Sequence, residues 1–320
     1  MKIRRHCVLF AALALGCLAA QAAPFAYITN QGSHDVSVID LALQRVVATV
    51  PVGRSPAGVV AVGAASRVFV SNPDARTVSV IDMRSQAVVD TLPAGAGPVG
   101  IEASADGRQV FVADWYRNRL LVLDATRRDA PPLEIEVGRA PAGVAVAADG
   151  RTVYVAERDD DSVAVVDLVA RRVGARVKVG LHPFALLLDA PRQRLFALNV
   201  QSDDVSVIDL RRLAVEATLK VGKAPYGAAL AHGGRLLYVT NQHADTVSVF
   251  DAQSLAPLRT LDGFGYPEGI AADGDKVYVV NWMDDNVSVL DAESGRSLRR
   301  IDTGSNPRGF GAFIGAPPPR

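Results

Sequence analysis

One position of a recurring motif carries the side chains most able to do chemistry. The chain contains seven copies of the motif Pro-x-Gly, with Ala in place of Gly in one copy. In chain order, the middle residue of the copies is Ala57, Val99, Ala142, Phe184, Tyr226, Glu268 and Arg308. The first three side chains are small or aliphatic, whereas the last four offer aromatic surface and two opposite charges. A repeated fold does not need this difference, so we interpret it as selection for a function.

The predicted ligand-binding residues lie at this position, just before the proline, or in a neighbouring loop. They are His182, Phe184, Tyr226, Tyr266, Glu268, Trp282, Asn306 and Arg308. Phe184, Tyr226 and Tyr266 would supply stacking surface for a ligand. Glu268 and Arg308 would orient that ligand through charge-assisted hydrogen bonds. The alternative is that these two charges pair with each other and that the aromatic rings fill the interior.

Metal chemistry and nucleophilic catalysis have little support in the sequence. No two histidines have His-x-x-x-His spacing, and none follows a glutamate at Glu-x-x-His spacing. The acidic runs 159–161 and 284–285 are interpreted as solvated loop charges rather than as a calcium site. The nucleophile motif Gly-x-Ser-x-Gly does not occur. We therefore predict no metal, no cofactor and no catalytic residue.

A repeat of about 42 residues must position these side chains. Each copy has a hairpin of two short apolar runs, such as Leu236–Asn241 followed by Val247–Asp251. The aspartates that close the second run lie 42, 42, 43, 42, 42 and 40 residues apart, at Asp40, Asp82, Asp124, Asp167, Asp209, Asp251 and Asp291. Because they recur in every copy, we expect them to accept hydrogen bonds from the backbone of the following turn.

Four short antiparallel strands per repeat are typical of a β-propeller blade, so we predict an all-β, seven-bladed β-propeller. The middle strands are apolar on both faces, as expected if blades pack face to face. The chain after residue 22 opens in the second strand of a blade and ends, at 307–314, in a first strand. We therefore expect the C-terminal strand to join the N-terminal blade and close the ring.

The first 22 residues are predicted to be a signal peptide, which leaves residues 23–320 as one domain. Lys2, Arg4 and Arg5 precede the apolar run 7–20, and the residues at 20–22 fit a small-x-small cleavage site. The competing interpretation is a lipoprotein with its lipid on Cys17. In either case we expect a periplasmic or extracellular protein without a transmembrane span.

Charge and cysteine content narrow the function further. Both cysteines lie within the first 22 residues, so the remaining chain has no disulfide, thiolate metal site or c-type haem attachment. Without Lys2, Arg4 and Arg5, the chain carries 31 basic and 34 acidic residues, a net charge of about −3. Stacking of single-stranded nucleic acid on Trp115, Tyr116 and Trp282 is therefore disfavoured. A monomer is expected.

The repeat resembles a known family. Residues 238–241 spell Tyr-Val-Thr-Asn, the tetrapeptide of the YVTN β-propeller repeat family, and the pieces Val-Ser-Val-Ile-Asp and Val-Gly-x-x-Pro-x-Gly are similar to the rest of that repeat. The chain also resembles exported bacterial YncE-type proteins and propellers encoded near quinoprotein catabolic systems. The resemblance implies a seven-bladed ring in the periplasm or on the cell surface, and it implies little about chemistry.

Two function hypotheses follow. The first is a non-catalytic binding or scaffolding protein that uses its channel mouth to bind a small molecule, a peptide or a protein partner. The second is a periplasmic enzyme at the same site, either a lactonase-like hydrolase or a quinoprotein-associated activity. The seven-bladed and six-bladed lactonases bind a metal at the channel mouth through acidic and Asn ligands, and Glu268 alone is placed for that role here.

Overall fold

The computed structural model describes residues 24–319. The predicted signal peptide at 1–22, including Cys17, lies outside the described residues. Within 24–319 the chain forms 28 β-strands and four short 3-10 helices, and the strands make seven four-stranded antiparallel sheets. No helix in this range has the length and hydropathy of a membrane span.

Each sheet is one blade of a β-propeller. Blade 1 contains β1 (Phe25–Asn30), β2 (Asp35–Asp40), β3 (Arg45–Pro51) and, as its inner strand, β28 (Ile314–Gly315). Blade 2 contains β4 (Val59–Val62), β5 (Arg67–Asn72), β6 (Thr77–Asp82) and β7 (Ala87–Pro93). Blade 3 contains β8 (Pro98–Ala103), β9 (Gln109–Asp114), β10 (Arg119–Asp124) and β11 (Leu133–Glu136). Blade 4 contains β12 (Pro141–Val146), β13 (Thr152–Glu157), β14 (Ser162–Asp167) and β15 (Arg172–Lys178).

The remaining blades repeat this order. Blade 5 contains β16 (Pro183–Asp189), β17 (Arg194–Asn199), β18 (Asp204–Asp209) and β19 (Ala214–Lys220). Blade 6 contains β20 (Pro225–Ala231), β21 (Leu236–Asn241), β22 (Thr246–Asp251) and β23 (Pro257–Asp262). Blade 7 contains β24 (Pro267–Asp273), β25 (Lys276–Asn281), β26 (Asn286–Asp291) and β27 (Ser297–Asp302). The 3-10 helices span Gly63–Ala65, Pro73–Ala75, Arg158–Asp160 and Gln242–Ala244.

The core lies between neighbouring blades. Val110, Phe111 and Val112 of β9 are all fully buried, because the two faces of this strand pack against different blades. One apolar cluster joins β9 to blade 2, and another joins it to blade 4. The prediction that the middle strands are buried on both faces is confirmed.

The closing aspartates stabilise the turns that follow them, as predicted. The Asp251 Oδ1 atom accepts hydrogen bonds from the backbone N–H of Ser254 (2.7 Å) and of Gln253 (3.0 Å), and from the Ser254 hydroxyl (2.8 Å). At least one of the corresponding backbone hydrogen bonds is present in every other blade of the described chain, at Asp40, Asp82, Asp124, Asp167, Asp209 and Asp291.

This bonding predicts a loss of stability in acid. The hydrogen bonds from Ser254 hold the pKa of Asp251 below its usual range. A lowered folded-state pKa adds stability above the unfolded-state pKa of about 3.9, and this stability is lost as the pH falls. We expect Asp251→Asn, which keeps an acceptor oxygen but cannot titrate there, to lose less stability than the wild type between about pH 5 and pH 2.5. Urea unfolding at several pH values measures this difference. The same decrease in the free energy of unfolding for both proteins over this pH range would contradict the prediction.

The ring closes through the C-terminal segment, also as predicted. The Tyr27 N–H donates to the Phe313 carbonyl (2.9 Å), and β28 pairs with β1. The segment 307–313 is less regular than the expected strand, however. The Phe310 carbonyl accepts from the Val59 N–H (2.8 Å), so this part of the segment pairs with the inner strand of blade 2. The C-terminal segment therefore joins two blades rather than extending one.

A bulge at Pro-x-Gly directs the middle residue of each motif. In blade 5 the register of β16 against β17 shifts between Pro183 and Leu186, and blades 3, 4, 6 and 7 have the same shift. The glycine allows neighbouring inner strands to approach closely, because a Cβ at Gly227 would lie 2.5 Å from the Glu268 carbonyl oxygen. The bulge and the close approach together set the middle residues around the channel mouth.

Candidate functional site

A cavity of about 410 Å³ opens at the mouth of the central channel. We call it the mouth cavity; it is lined by Pro73, Gly97, Val99, Trp115, Tyr116, Phe184, Tyr226, Gln242, Tyr266, Glu268, Trp282 and Arg308. Some of these residues lie directly before or after the proline of a Pro-x-Gly motif, where an inner strand begins. Others lie in the loop between the second and third strands of a blade, which reaches the same face of the ring.

Aromatic rings form one wall of the mouth cavity. The centroid of the Phe184 ring lies 4.7 Å from that of Tyr226, 5.0 Å from that of Phe310 and 6.2 Å from that of Trp115. Tyr226 and Phe310 are buried. These distances are within the range of favourable aromatic pairs, so the cluster holds itself in place without a ligand.

A second aromatic group lies nearer to the rim. The Tyr266 ring is 5.4 Å from the Trp282 ring and 5.4 Å from the His243 imidazole. The Tyr266 hydroxyl and His243 Nε2 are 3.0 Å apart and share a hydrogen bond. His243 is exposed, so this group forms a border between the mouth cavity and solvent.

The two predicted charges pair with each other. Arg308 donates from Nε to Glu268 Oε2 (2.8 Å) and from Nη2 to Glu268 Oε1 (3.2 Å). Gln242 Nε2 donates to the same Oε1 at 2.7 Å. The Glu268 side chain is 1% exposed, whereas that of Arg308 is 22% exposed. The pairing that the sequence left as an alternative is therefore present in the structure.

The surroundings of this pair shift the pKa values of both side chains. Burial raises the pKa of Glu268, and the Arg308 guanidinium opposes that change. Burial acts to lower the pKa of Arg308, but Tyr226 and Glu268 outweigh it and raise that pKa, so the guanidinium stays charged. The Arg308 guanidinium carbon also lies 5.8 Å from the centroid of the Tyr226 ring, a cation–π contact that anchors the arginine against the aromatic wall.

The structure brings most of the predicted site residues together. Phe184, Tyr226, Tyr266, Glu268, Trp282 and Arg308 all line the mouth cavity. His182 and Asn306 do not line it. Both have a left-handed backbone, with φ of 53° and 52°. Their backbone N–H groups donate to Asp161 Oδ1 (2.9 Å) and Asp285 Oδ1 (2.7 Å) of the preceding blade. Their position before the proline therefore shapes the connection between blades.

The predicted set lacks Trp115, Tyr116 and Gln242, which line the mouth cavity, and Phe310, which packs against its aromatic wall. Trp115 belongs to blade 3, outside the predicted ligand-binding set, but its ring contacts Phe184 across the channel. Phe310 was assigned to a regular inner strand, whereas Gly309 and Gly311, with φ of 60° and 124°, let the chain turn its ring toward the channel. Gln242 follows the repeated Asn241 and carried no signal of its own. The glycines on both sides of Phe310 were the signal available for that residue.

The described chain offers no cluster of metal ligands. Across 24–319, no three or more His, Cys, Asp or Glu side chains lie close enough together to hold a metal ion. Glu268, the acidic residue at the mouth cavity, has both oxygens bonded to Arg308, and Gln242 also donates to one of them.

Comparison with solved structures supports the fold. Hydrazine synthase from Kuenenia stuttgartiensis is similar with a TM-score of 0.75 and 19% identity, covering 89% of this chain and 99% of that one. A functionally unknown protein from Desulfotomaculum acetoxidans gives a TM-score of 0.76 and 14% identity, with 92% and 99% covered. The dihydro-heme d1 dehydrogenase NirN in complex with DHE gives 0.68 and 17%, with 90% and 74% covered. At these identities the similarity extends to the fold alone.

Comparison of the sequence identifies the family. No curated protein matches the chain significantly. The family model described as YncE-like β-propeller matches residues 59–149 and 134–318, which together span most of the chain. The chain therefore belongs to the YncE-like β-propeller family.

Proposed function

We propose that this propeller is a non-catalytic binding protein whose mouth cavity takes a small planar organic molecule that bears a carboxylate or carbonyl oxygen. The observation that carries this proposal is the combination of an aromatic wall with one partly exposed guanidinium, that of Arg308. The volume of about 410 Å³ is within the range of small-molecule sites, whereas a peptide or protein would need a more extended surface.

Arg308 is the charged group of the mouth cavity that a ligand would meet, because Glu268 is almost fully buried. A guanidinium has five N–H donors, and the pair with Glu268 engages Nε and Nη2. Among the described residues, no group accepts a hydrogen bond from Nη1. Glu268 is buried and already satisfied, so its role is to hold the guanidinium in position. An anionic or carbonyl oxygen at Nη1 would complete the site, and a flat ligand body would stack on Phe184 or Trp115.

The alternative function is an enzyme with its active site in the same mouth cavity. It differs from a binding protein in that it would convert its ligand chemically. The related folds named hydrazine synthase and dihydro-heme d1 dehydrogenase show that this fold occurs in enzymes. In the present chain, Glu268 would have to leave Arg308 before it could act as a general base. We therefore favour binding without chemistry. Chemical conversion of the retained ligand by the purified protein would overturn this part of the proposal.

The position of the tryptophans gives a direct test. Both tryptophans of the chain, Trp115 and Trp282, line the mouth cavity, so their fluorescence reports its occupancy. With 2-naphthoate as probe, we expect saturable quenching, and affinity about tenfold higher than for the neutral alcohol 2-naphthalenemethanol, because only the carboxylate pairs with Arg308. Phe184→Leu should lower the affinity for both probes, because it removes stacking surface. Val169→Ala, a substitution on an exposed outer turn, should change neither affinity.

Three results would contradict the proposed site. They are no quenching by either probe, equal affinities for the acid and the alcohol, or unchanged binding by Phe184→Leu. Mass spectrometry of molecules retained by protein isolated from its native host then identifies the natural ligand. A retained aliphatic or cationic compound would also count against the proposal.

We further propose that the protein is exported to the periplasm or beyond and works there. The support is the basic, apolar and small-x-small order of residues 1–22. We expect the mature chain to begin at Ala23 and to be released with the periplasmic fraction. N-terminal sequencing of protein from its native host tests this expectation, and an acylated Cys17 would show instead that the protein is membrane-anchored.

A further inference from the structure

We propose that the opposite end of the central channel is a second ligand site, which takes a small apolar molecule carrying one positive charge, such as a bulky aliphatic ammonium ion. This site is separate from the mouth cavity and has different chemistry. An aromatic cluster divides the channel in two, and the half away from the mouth has an apolar wall with one carboxylate in it.

A cavity of about 610 Å³ occupies the part of the central channel that lies away from the mouth cavity. We call it the channel cavity. It is lined by the later residues of the inner strands, which run away from the mouth, and large parts of its wall are aliphatic, including Leu186, Leu188 and Leu230. Turn residues at the ends of these strands, such as Ser104 and Ala147, also line it, so it opens on the face opposite the mouth cavity.

The aromatic cluster separates the two cavities. Phe310 lines the channel cavity, and its ring packs at 5.0 Å on Phe184 and at 5.9 Å on Tyr226, which line the mouth cavity. No described residue lines both cavities. A ligand in one cavity therefore does not need to pass through the other.

Glu102 is the exceptional residue of the channel cavity. The fold does not need a carboxylate at this position of the inner strand, because the corresponding residues of the other blades are Val60, Ala145, Leu187, Ala229, Ala271 and Gly311. The side chain is half-buried, and Oε1 accepts a hydrogen bond from the Ala103 N–H at 2.9 Å. Glu102 forms no ion pair within residues 24–319, and no other ionisable described residue lines this cavity.

An unpaired carboxylate in an apolar wall selects its ligand by charge. Burial raises the pKa of Glu102 to about 7, because the Ala103 N–H alone only partly stabilises its charged form. An ammonium group placed beside it would supply that compensation, while an aliphatic body would be buried against the leucines. A neutral ligand of the same shape would gain only the second term, and an anion would be repelled.

Three probes of one shape test the proposal by calorimetry. At about pH 8 we expect 1-adamantylammonium to bind with one site per chain and about tenfold more tightly than neutral 1-adamantanol, and we expect no binding of 1-adamantanecarboxylate. Glu102→Gln should abolish the tenfold preference for the cation while leaving binding of the alcohol unchanged. Trp282→Phe, a variant of the mouth cavity, should leave all three results unchanged.

The pH dependence gives an independent readout. Cation affinity for the wild type should rise as the pH rises through about 7, because Glu102 ionises there, and Glu102→Gln should show no such rise. The same raised pKa means that Glu102 costs the folded state stability as the pH rises from 4.5 to about 7. Glu102→Gln should therefore be more stable than the wild type at about pH 8, and a variant that melts no lower than the wild type cannot have lost cation binding through unfolding.

Several results would overturn the proposal. One is equal binding of the cation and the alcohol to the wild type, and another is unchanged cation affinity in Glu102→Gln. Loss of cation binding in Trp282→Phe would place the cation at the mouth instead.

Discussion

Deletion of residues 310–320 is expected to leave the protein largely unfolded at physiological temperature. Phe313 is fully buried and Phe310 nearly so. Each would lose roughly 1.5–3 kcal/mol of burial free energy, and Ile314 would lose its packing against blade 1. The deletion also removes the carbonyl groups that accept from Tyr27, Val59 and Ala61. These losses are comparable with the total stability of a typical domain, about 5–15 kcal/mol.

The chain provides a matched control for this deletion. Among the described residues, removal of 318–320 takes away the exposed Pro318 and Pro319 and one hydrogen bond, from Arg84 to the Pro318 carbonyl. We expect that shorter truncation to melt within a few degrees of the full chain. Calorimetry and circular dichroism of the two truncations measure the difference. Cooperative melting of the longer deletion at the full-length temperature would show that blades 1 and 7 hold the ring closed without the C-terminal segment.

Arg308→Ala is expected to lower the free energy of unfolding by about 3–5 kcal/mol, because it leaves the Glu268 carboxylate buried without its charged partner. The effect should depend on pH. Loss of the guanidinium raises the pKa of Glu268 further, so the carboxyl group protonates more easily and the deficit shrinks as the pH falls from about 8 to about 5. Urea unfolding at several pH values gives both the size and the slope.

Substitution of the other partner should be milder. Glu268→Gln leaves Arg308 unpaired, but this side chain is 22% exposed and can be hydrated from the mouth cavity, so we expect a loss of about 1–2 kcal/mol. The double variant Glu268→Leu with Arg308→Met should recover much of the stability that Arg308→Ala loses, since apolar residues often replace a buried pair without cost. If Arg308→Ala is as stable as the wild type, the pair does not carry the energy assigned to it here.

The sequence was sufficient for the fold because its information is repeated. The period of Asp40, Asp82 and Asp124 defines the blade, and the phase of the chain ends defines how the ring closes. The prediction of the mouth also depended on the repeat, since Phe184 and Arg308 occupy the same place in different blades and must converge on one axis. Any position filled differently in an otherwise equal repeat could be recognised in this way.

The remaining features depend on distances across the channel, which the repeat does not encode. Trp115 reaches Phe184 because the channel is narrow, and no spacing within one blade gives that width. The pairing of Arg308 with Glu268 joins adjacent blades and competes with solvent for both charges, so sequence left it open. The setting of Glu102 likewise depends on the apolar wall that the other blades place around it.

The double role of the C-terminal segment has a consequence for the order of folding. β1 is among the first parts of the described chain to be synthesised, but its partner β28 is among the last. Until then a nascent chain presents β1 as an open edge, and the inner strand of blade 2 lacks the neighbour that later accepts from Val59.

Closing a loop of nearly the whole chain costs little extra free energy, because each doubling of loop length adds only about 0.6 kcal/mol. It is slow, however, as contacts between distant residues are. We therefore expect capture of the chain's own end to be the last step of folding, with another chain able to compete until then for the open edge of β1.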